Sequence, residues 1–212
     1  METQKRRVSL RKSVVGLRED ASGIAATEFA LLLPIMVLLF FGMLETSDAF
    51  TVNRRVSQAS NAIVDLVGQA EKTTPAQIDS IFVGAQRILE PNDISTLDFK
   101  LTSVIRYPSD PDKTVVQWSR DHSGGEPYAI GSEFALVDDE DILIPGVSVL
   151  VAEASYDFTS GISNRILGTP IAFNKTTKRW PRLVSEVLLC PNNTPDCDAE
   201  GSLGEHSSTV NN

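Results

Sequence analysis

Apolar residues run along the 212-residue chain in three rhythms, and each rhythm predicts a different element. The first is an unbroken run. Residues 29–44, FALLLPIMVLLFFGML, hold no charge, and counting back to Ile24 gives 21 residues interrupted only by Glu28. At about 1.5 Å of rise per residue such a run makes roughly 32 Å of helix, enough for the ~30 Å hydrocarbon layer of a bilayer. The second rhythm follows directly: Val52, Val56, Ala59, Ile63 and Leu66 recur at steps of four, three, four and three, with Asn53, Arg54, Arg55, Gln58 and Asp65 off the stripe. That spacing predicts an amphipathic helix. One long helix is therefore expected, apolar all round in its first half and a one-faced stem in its second.

Thr74-Pro75-Ala76-Gln77 has the form of a helix start, with threonine as cap, proline at the first helical position and glutamine three residues after the cap. A second helix is predicted to run to about Leu89 and to end at Glu90-Pro91-Asn92-Asp93. The third rhythm then begins, with a period of two and an excess of β-branched and aromatic residues, and predicts strands over 94–107, 114–120, 147–159 and 178–189. A helix followed by consecutive antiparallel strands is an α+β arrangement. The expected fold is an N-terminal transmembrane helix extended into an amphipathic stem and packed on a small antiparallel β-sheet. The divisions read from the sequence are a basic leader over 1–23, a transmembrane helix over 24–45, an external domain over 46–190 and a flexible acidic tail over 191–212.

Charge gives the membrane run a direction. The first 23 residues carry six basic and three acidic side chains, a net +3, which leaves −12 on the other 189. The positive-inside bias places the leader in the cytoplasm and everything after Glu45 outside. The total of −9 also argues against nucleic acid as a partner, because a polyanion demands a basic face. An ordinary cleaved secretory signal has a shorter apolar region and a small-residue cleavage site, whereas this run ends in Gly42-Met43-Leu44-Glu45-Thr46-Ser47-Asp48-Ala49. A plain signal anchor fits the run, and Glu28 offers a third reading. A carboxylate near a membrane costs up to about 2.5–3.5 kcal/mol at the helix centre and less toward an end. Glu28 either snorkels to the interface or has a partner.

The spacing around Glu28 is what separates these readings. Gly23-Ile24-Ala25-Ala26-Thr27-Glu28-Phe29-Ala30-Leu31-Leu32-Leu33-Pro34, after a basic leader and before a Gly42-Met43-Leu44-Glu45 end, resembles the TadE-like pseudopilins of the bacterial tight-adherence (Flp, type IVb pilus) assembly system. The resemblance covers about 25 residues, and Thr27 departs from the valine more common in the family. It implies cleavage between Gly23 and Ile24 by a membrane prepilin peptidase. Glycine, lacking a Cβ, lets the backbone extend toward a protease. It further implies that the new Ile24 amine of one subunit meets the Glu28 carboxylate of a neighbour, neutralising both in lipid and setting their register. Phe29 and Pro34 complete the assembly segment, and Pro34, which lacks an N–H, permits a kink or is simply tolerated. The implied partners are the peptidase, other pilins or pseudopilins, inner-membrane platform proteins of the same system, and the lipid bilayer.

The remaining chemistry is sparse. Cys190 and Cys197 are the only cysteines and bracket Pro191-Asn192-Asn193-Thr194-Pro195-Asp196. An external location favours a disulfide across this turn-rich loop, contributing roughly 2–3 kcal/mol in a chain-entropy picture, over two free thiols. Asp196 and Asp198 are read as solvated. Asp121-His122-Ser123 has the letters of a hydrolase triad, but adjacent residues cannot converge on one point, and the only other histidine, His206, lies in the tail. Asp138-Asp139-Glu140-Asp141 lacks the ligand spacing and glycine of a calcium loop. No enzyme activity, cofactor or metal is expected. Two roles from different classes compete: a minor pseudopilin in a bacterial inner membrane, N-terminus cytoplasmic and C-terminal domain periplasmic or extracellular, or a single-pass anchored binding or sensing module that keeps its leader.

Overall fold

The computed structural model describes residues 22–136, 142–160, 170–191, 193–194 and 197. The chain divides into two compact units, Met1–Ser47 and Asp48–Asn212. Helix α1 spans Ser22–Val67 and contributes to both. The second unit adds β1 (Lys72–Thr73), α2 (Pro75–Gln86), a 3₁₀ turn (Arg87–Leu89), β2 (Asp98–Arg106), β3 (Thr114–Asp121), β4 (Ser148–Phe158), β5 (Ile171–Arg179) and β6 (Leu188–Leu189). The architecture is α+β, with a long apolar N-terminal helix and a four-stranded antiparallel sheet.

The sheet order is β3-β2-β4-β5, so β2 sits inside and pairs with β3 on one side and β4 on the other. Separately, β1 and β6 form a short parallel pair. One sheet face packs on the helices. Val52, Val56, Ala59 and Ile63 of α1 and Ile78 and Phe82 of α2 share a core with Phe99, Leu101, Trp118, Leu150 and Ala152 of the sheet. Phe82 and Phe99 stack with ring centroids 6.0 Å apart. The opposite face is buried at one end, where Val104, Val116, Val149 and Val151 lie under Leu136 and Leu143. Double burial explains the near-continuous apolar run Ser148-Val149-Leu150-Val151-Ala152 in β4.

Local devices fix the element ends. Thr74 and Gln77 form a reciprocal capping box: the Gln77 N–H donates to Thr74 Oγ1 at 3.2 Å, and the Thr74 N–H to Gln77 Oε1 at 3.0 Å. Arg120 reaches from β3 to α2 and holds Asp79 bidentately, with Nε and Nη2 each 2.7 Å from a carboxylate oxygen. Arg55 Nη1, off the stripe, donates to the Glu90 carbonyl at 2.9 Å, satisfying a group left open where the 3₁₀ turn ends. The end of α1 needs its glycine: a Cβ on Gly68 would lie 2.8 Å from the Val64 carbonyl oxygen. The Gly68 carbonyl in turn accepts from the Arg182 N–H at 2.8 Å.

Three sequence expectations are corrected. The stem stripe does not close on Leu66, which is 53% exposed, because at 3.6 residues per turn the stripe drifts onto Val64 and Val67, 0% and 1% exposed. The first strand starts at Asp98 instead of 94, since Asp93 folds the chain into a turn by accepting from the Ser95 N–H and Oγ. The fourth strand is Ile171–Arg179, not 178–189. It is an edge strand whose Asn174, Lys175 and Lys178 resemble a loop in sequence, as edges do, while Pro181 cannot donate to a ladder. Of the expected span, Lys178 and Arg179 end β5, and Leu188–Leu189 form a separate short strand that pairs with β1.

These placements separate two substitutions that look alike in sequence. Phe82→Ala should cost about 3–5 kcal/mol of unfolding free energy and Leu66→Ala less than about 0.5, measured by urea denaturation. Comparable losses at the two positions would contradict the packing.

Candidate functional site: an uncovered apolar helix

The feature the chain's own packing leaves unexplained lies at the start of α1. Every residue of 23–44 is exposed, with Leu31 at 75% and Leu38 at 67%. By length and composition this helix is able to cross a membrane. An α-helix suits that task because its backbone donors and acceptors are paired within the segment. The hydroxyls also find partners close by: Thr27 Oγ1 donates to the Ile24 carbonyl at 2.8 Å and Thr46 Oγ1 to the Gly42 carbonyl at 2.7 Å. The two threonines thus sit at either side of the apolar run with no hydroxyl left unpaired in it.

The cleavage and assembly residues singled out in the sequence, Gly23, Ile24, Glu28, Phe29 and Pro34, fall on this element. Gly23 is in its first turn, and nothing lies within 4 Å of where a Cβ would be, so the backbone there is sterically open. Ile24 and Glu28 are four residues apart and share a helix face, with the Glu28 side chain exposed. Phe29, 59% exposed, occupies the neighbouring face. Pro34 lies inside α1, and the helix is continuous through it despite the missing N–H. What this arrangement offers is physical: partition into an apolar phase, packing on other helices, and one carboxylate positioned one turn from Ile24.

The other candidates lie in the second unit. His122 does not meet Asp121: its Nδ1 is 2.8 Å from Asp98 Oδ1. Asp121 instead accepts at Oδ1 from the Ser123 hydroxyl, the Ser123 N–H and the Gly125 N–H. The three triad letters therefore form a turn and a separate histidine–aspartate hydrogen bond. Cys190 and Cys197 are joined by a disulfide, with their Cα atoms 5.6 Å apart. The leader up to residue 21, the acidic cluster Asp138 to Asp141, Asp196, Asp198 and His206 lie outside the described residues. Sequence reasoning had no means of finding the contacts of the disulfide loop. Asn193 Oδ1 accepts from the Ala76 N–H across 117 positions, and a pairing so remote leaves no local periodicity.

Residues 23–65 match the family model described as TadE-like protein. The TadE-like segment begins at Gly23, contains Glu28, Phe29, Pro34 and Gly42, and continues past the motif residues into the buried stem as far as Asp65. It thus takes in both the uncovered half of α1 and most of the half that packs on the sheet. The sheet and its loops lie beyond it. No curated protein and no solved structure matches the chain.

The turn at Asp121 gives a pH signature. Its hydrogen bond from the Ser123 hydroxyl, with backbone donors from Gly125 and Ser123, holds the carboxyl below its ordinary value of 3.8. Because the folded pKa is the lower one, the stability this group contributes is complete above the ordinary value and is lost as pH falls through the folded one. Ser123→Ala should move the Asp121 midpoint upward in a carboxyl NMR titration. An unmoved midpoint would remove the hydroxyl as the main cause.

Proposed function

We propose that this chain is a minor pseudopilin of a tight-adherence pilus system, cut by a prepilin peptidase between Gly23 and Ile24 and acting through helix packing in the membrane or the fibre. The observation that carries this reading is the coincidence of the TadE-like match with the uncovered helix: the matched residues open on Gly23 and include the only charge, Glu28, in the apolar run 24–44. The basic leader supports an inner-membrane protein with a cytoplasmic N-terminus and the sheet domain on the far side.

In this reading cleavage has an electrostatic purpose. It removes the +3 leader and creates an ammonium at Ile24, the complement of a Glu28 carboxylate on a neighbouring subunit. An apolar surroundings punishes either charge alone far more than the pair. Neighbouring helices therefore settle in the stagger that joins amine to carboxylate. The proposed partners are those that can reach this helix: the peptidase, other pilins or pseudopilins, platform proteins of the same system and lipid. No step in this role calls for catalysis by the chain itself.

Mass spectrometry of membrane-extracted protein from cells holding the peptidase should find Ile24 as the N-terminus. An intact leader would leave an anchored external module instead. Glu28→Ala should preserve membrane insertion yet lower co-assembly by at least about tenfold, since stranding one member of a buried ion pair costs about 3–5 kcal/mol. Normal co-assembly of that variant, read by crosslinking of neighbouring helices, would end the register role.

A further inference from the structure

We propose that the ring closed by Cys190 and Cys197 is a redox-gated clamp on the first turn of α2, shut by the disulfide and opened by thiol attack at Cys197. The first turn of a helix has backbone donors with no partner inside the helix. In α2, Pro75 has no N–H, and the Gln77 N–H is taken by Thr74. The Ala76 N–H is satisfied from outside the segment, by Asn193 Oδ1 at 3.2 Å. Asn193 stands in the left-handed backbone region, with φ of 53°, which asparagine tolerates better than most residues.

Both ends of the ring also hold the segment leading into α2. The Cys190 N–H donates to the Thr73 carbonyl at 2.8 Å, and Lys72 Nζ donates to the Cys197 carbonyl. Residues 72, 73 and 76 are thus gripped by 197, 190 and 193 in turn. Only the covalent bond makes this three-point grip short-ranged. Without it, Asn193 and Cys197 are joined to Cys190 by backbone alone, and placing them costs ordering entropy that the ring has already removed.

The two cysteines are not equally exposed. Cys190 is fully buried, whereas Cys197 is partly exposed. A reductant thiolate therefore attacks Cys197 Sγ, forming a mixed disulfide there and expelling Cys190 as a thiolate that takes up a proton. A second reductant thiolate attacks the reductant's sulfur in that mixed disulfide. The products are the oxidised reductant and the Cys197 thiol, and two electrons have passed to the cysteine pair. Closure is the reverse: a disulfide-bearing oxidant, such as a protein dithiol oxidase or oxidised glutathione, loads Cys197, and Cys190 displaces it. The clamp stands whether or not the pilus reading does; that reading says only where closure takes place.

Hydrogen exchange on the full-length chain in detergent micelles tests the clamp. With the disulfide intact, the peptide carrying Ala76 should be protected. Reduction by dithiothreitol, or the double variant Cys190→Ser/Cys197→Ser, should speed its exchange while peptides of β2 and β4 keep their protection. Asn193→Ala, which leaves the disulfide in place, should speed the same peptide by roughly 2- to 10-fold, the factor carried by one ordinary hydrogen bond. During reduction with limiting glutathione, the first adduct should map to Cys197. Unchanged exchange around Ala76 once both thiols can be alkylated would overturn the clamp. So would loss of protection across the whole sheet, which indicates a global staple, or a first adduct on Cys190.

Discussion

Removing a polypeptide from water requires every backbone N–H and C=O to have a partner before it leaves, and a helix is the form in which a single isolated segment meets that condition by itself. Helix α1 makes use of this over residues 23–44, where the side chains face outward on all sides. Beyond them the same helix changes surroundings without changing its hydrogen bonding. Its later turns bury Val52, Val56, Ala59 and Ile63 against the sheet and leave Arg54 and Leu66 exposed. The continuity of one backbone ladder across two environments is the constraint to which the other features of this chain answer.

The second unit answers it by building a core around the stem. Trp118, Phe99 and Leu101 fill one face of the sheet from β2 and β3, and α2 closes the side with Ile78 and Phe82. Two polar groups inside this core tie its elements together, while the buried hydroxyls of Thr102 and Ser148 find no partner among the described residues. Ser60, fully buried on α1, donates to the Ala152 carbonyl at 3.2 Å and shares a hydroxyl–hydroxyl hydrogen bond of 2.9 Å with Thr177 Oγ1, spanning helix to β4 and β5. Trp118 Nε1 donates to the Val187 carbonyl at 2.8 Å, tying the chain that leads into β6 to the edge strand β3. On the other face, Tyr128 donates its hydroxyl to Glu153 at 2.7 Å. Burial, followed by that carboxylate, pushes the phenol up to about 12. The connecting segment over the sheet is thus held by a specific polar contact as well as by the apolar residues Leu136 and Leu143.

Legibility in the sequence followed the range of the interaction. The membrane-length run, the stem and the Thr74–Gln77 start are local patterns spanning one helix turn or a few, and the helix over Pro75–Gln86 keeps the cap, proline and glutamine where the sequence put them. β2 and β4 alternate or run apolar because strands flank them on both sides. β3, the other edge, is covered along its outer side by residues 131–134, with the Val116 N–H donating to the Ser132 carbonyl at 3.0 Å and the Phe134 N–H to the Thr114 carbonyl at 2.9 Å. β5 was misplaced because one of its sides has no strand beside it among the described residues, so its composition reports solvent as much as sheet. The exposed position of Leu66 was hidden by an approximation: steps of three and four track a helix face for a few turns, then the fractional residue accumulates. The uncovered helix itself was readable from Ile24 to Leu44, whereas the cradle of Asn193 on α2 joins residues too far apart for any periodicity to record.

One residue keeps the two sides of the sheet in phase. Between Ser103 paired with Trp118 and Val104 paired with Val116, Gln117 is supernumerary, facing no residue of β2. Its amide is spent locally, accepting from Ser103 Oγ at 2.8 Å and donating to Glu186 at 2.6 Å. Alternation along β3 would otherwise assign Trp118 and Val116 to the same side; the insertion reverses the parity, sending the indole toward the helices and the valine toward the overlying loop. A strand of this length paired without the bulge could keep the tryptophan inside or the valine covered, but not both, so the irregular register decides which core each side chain enters.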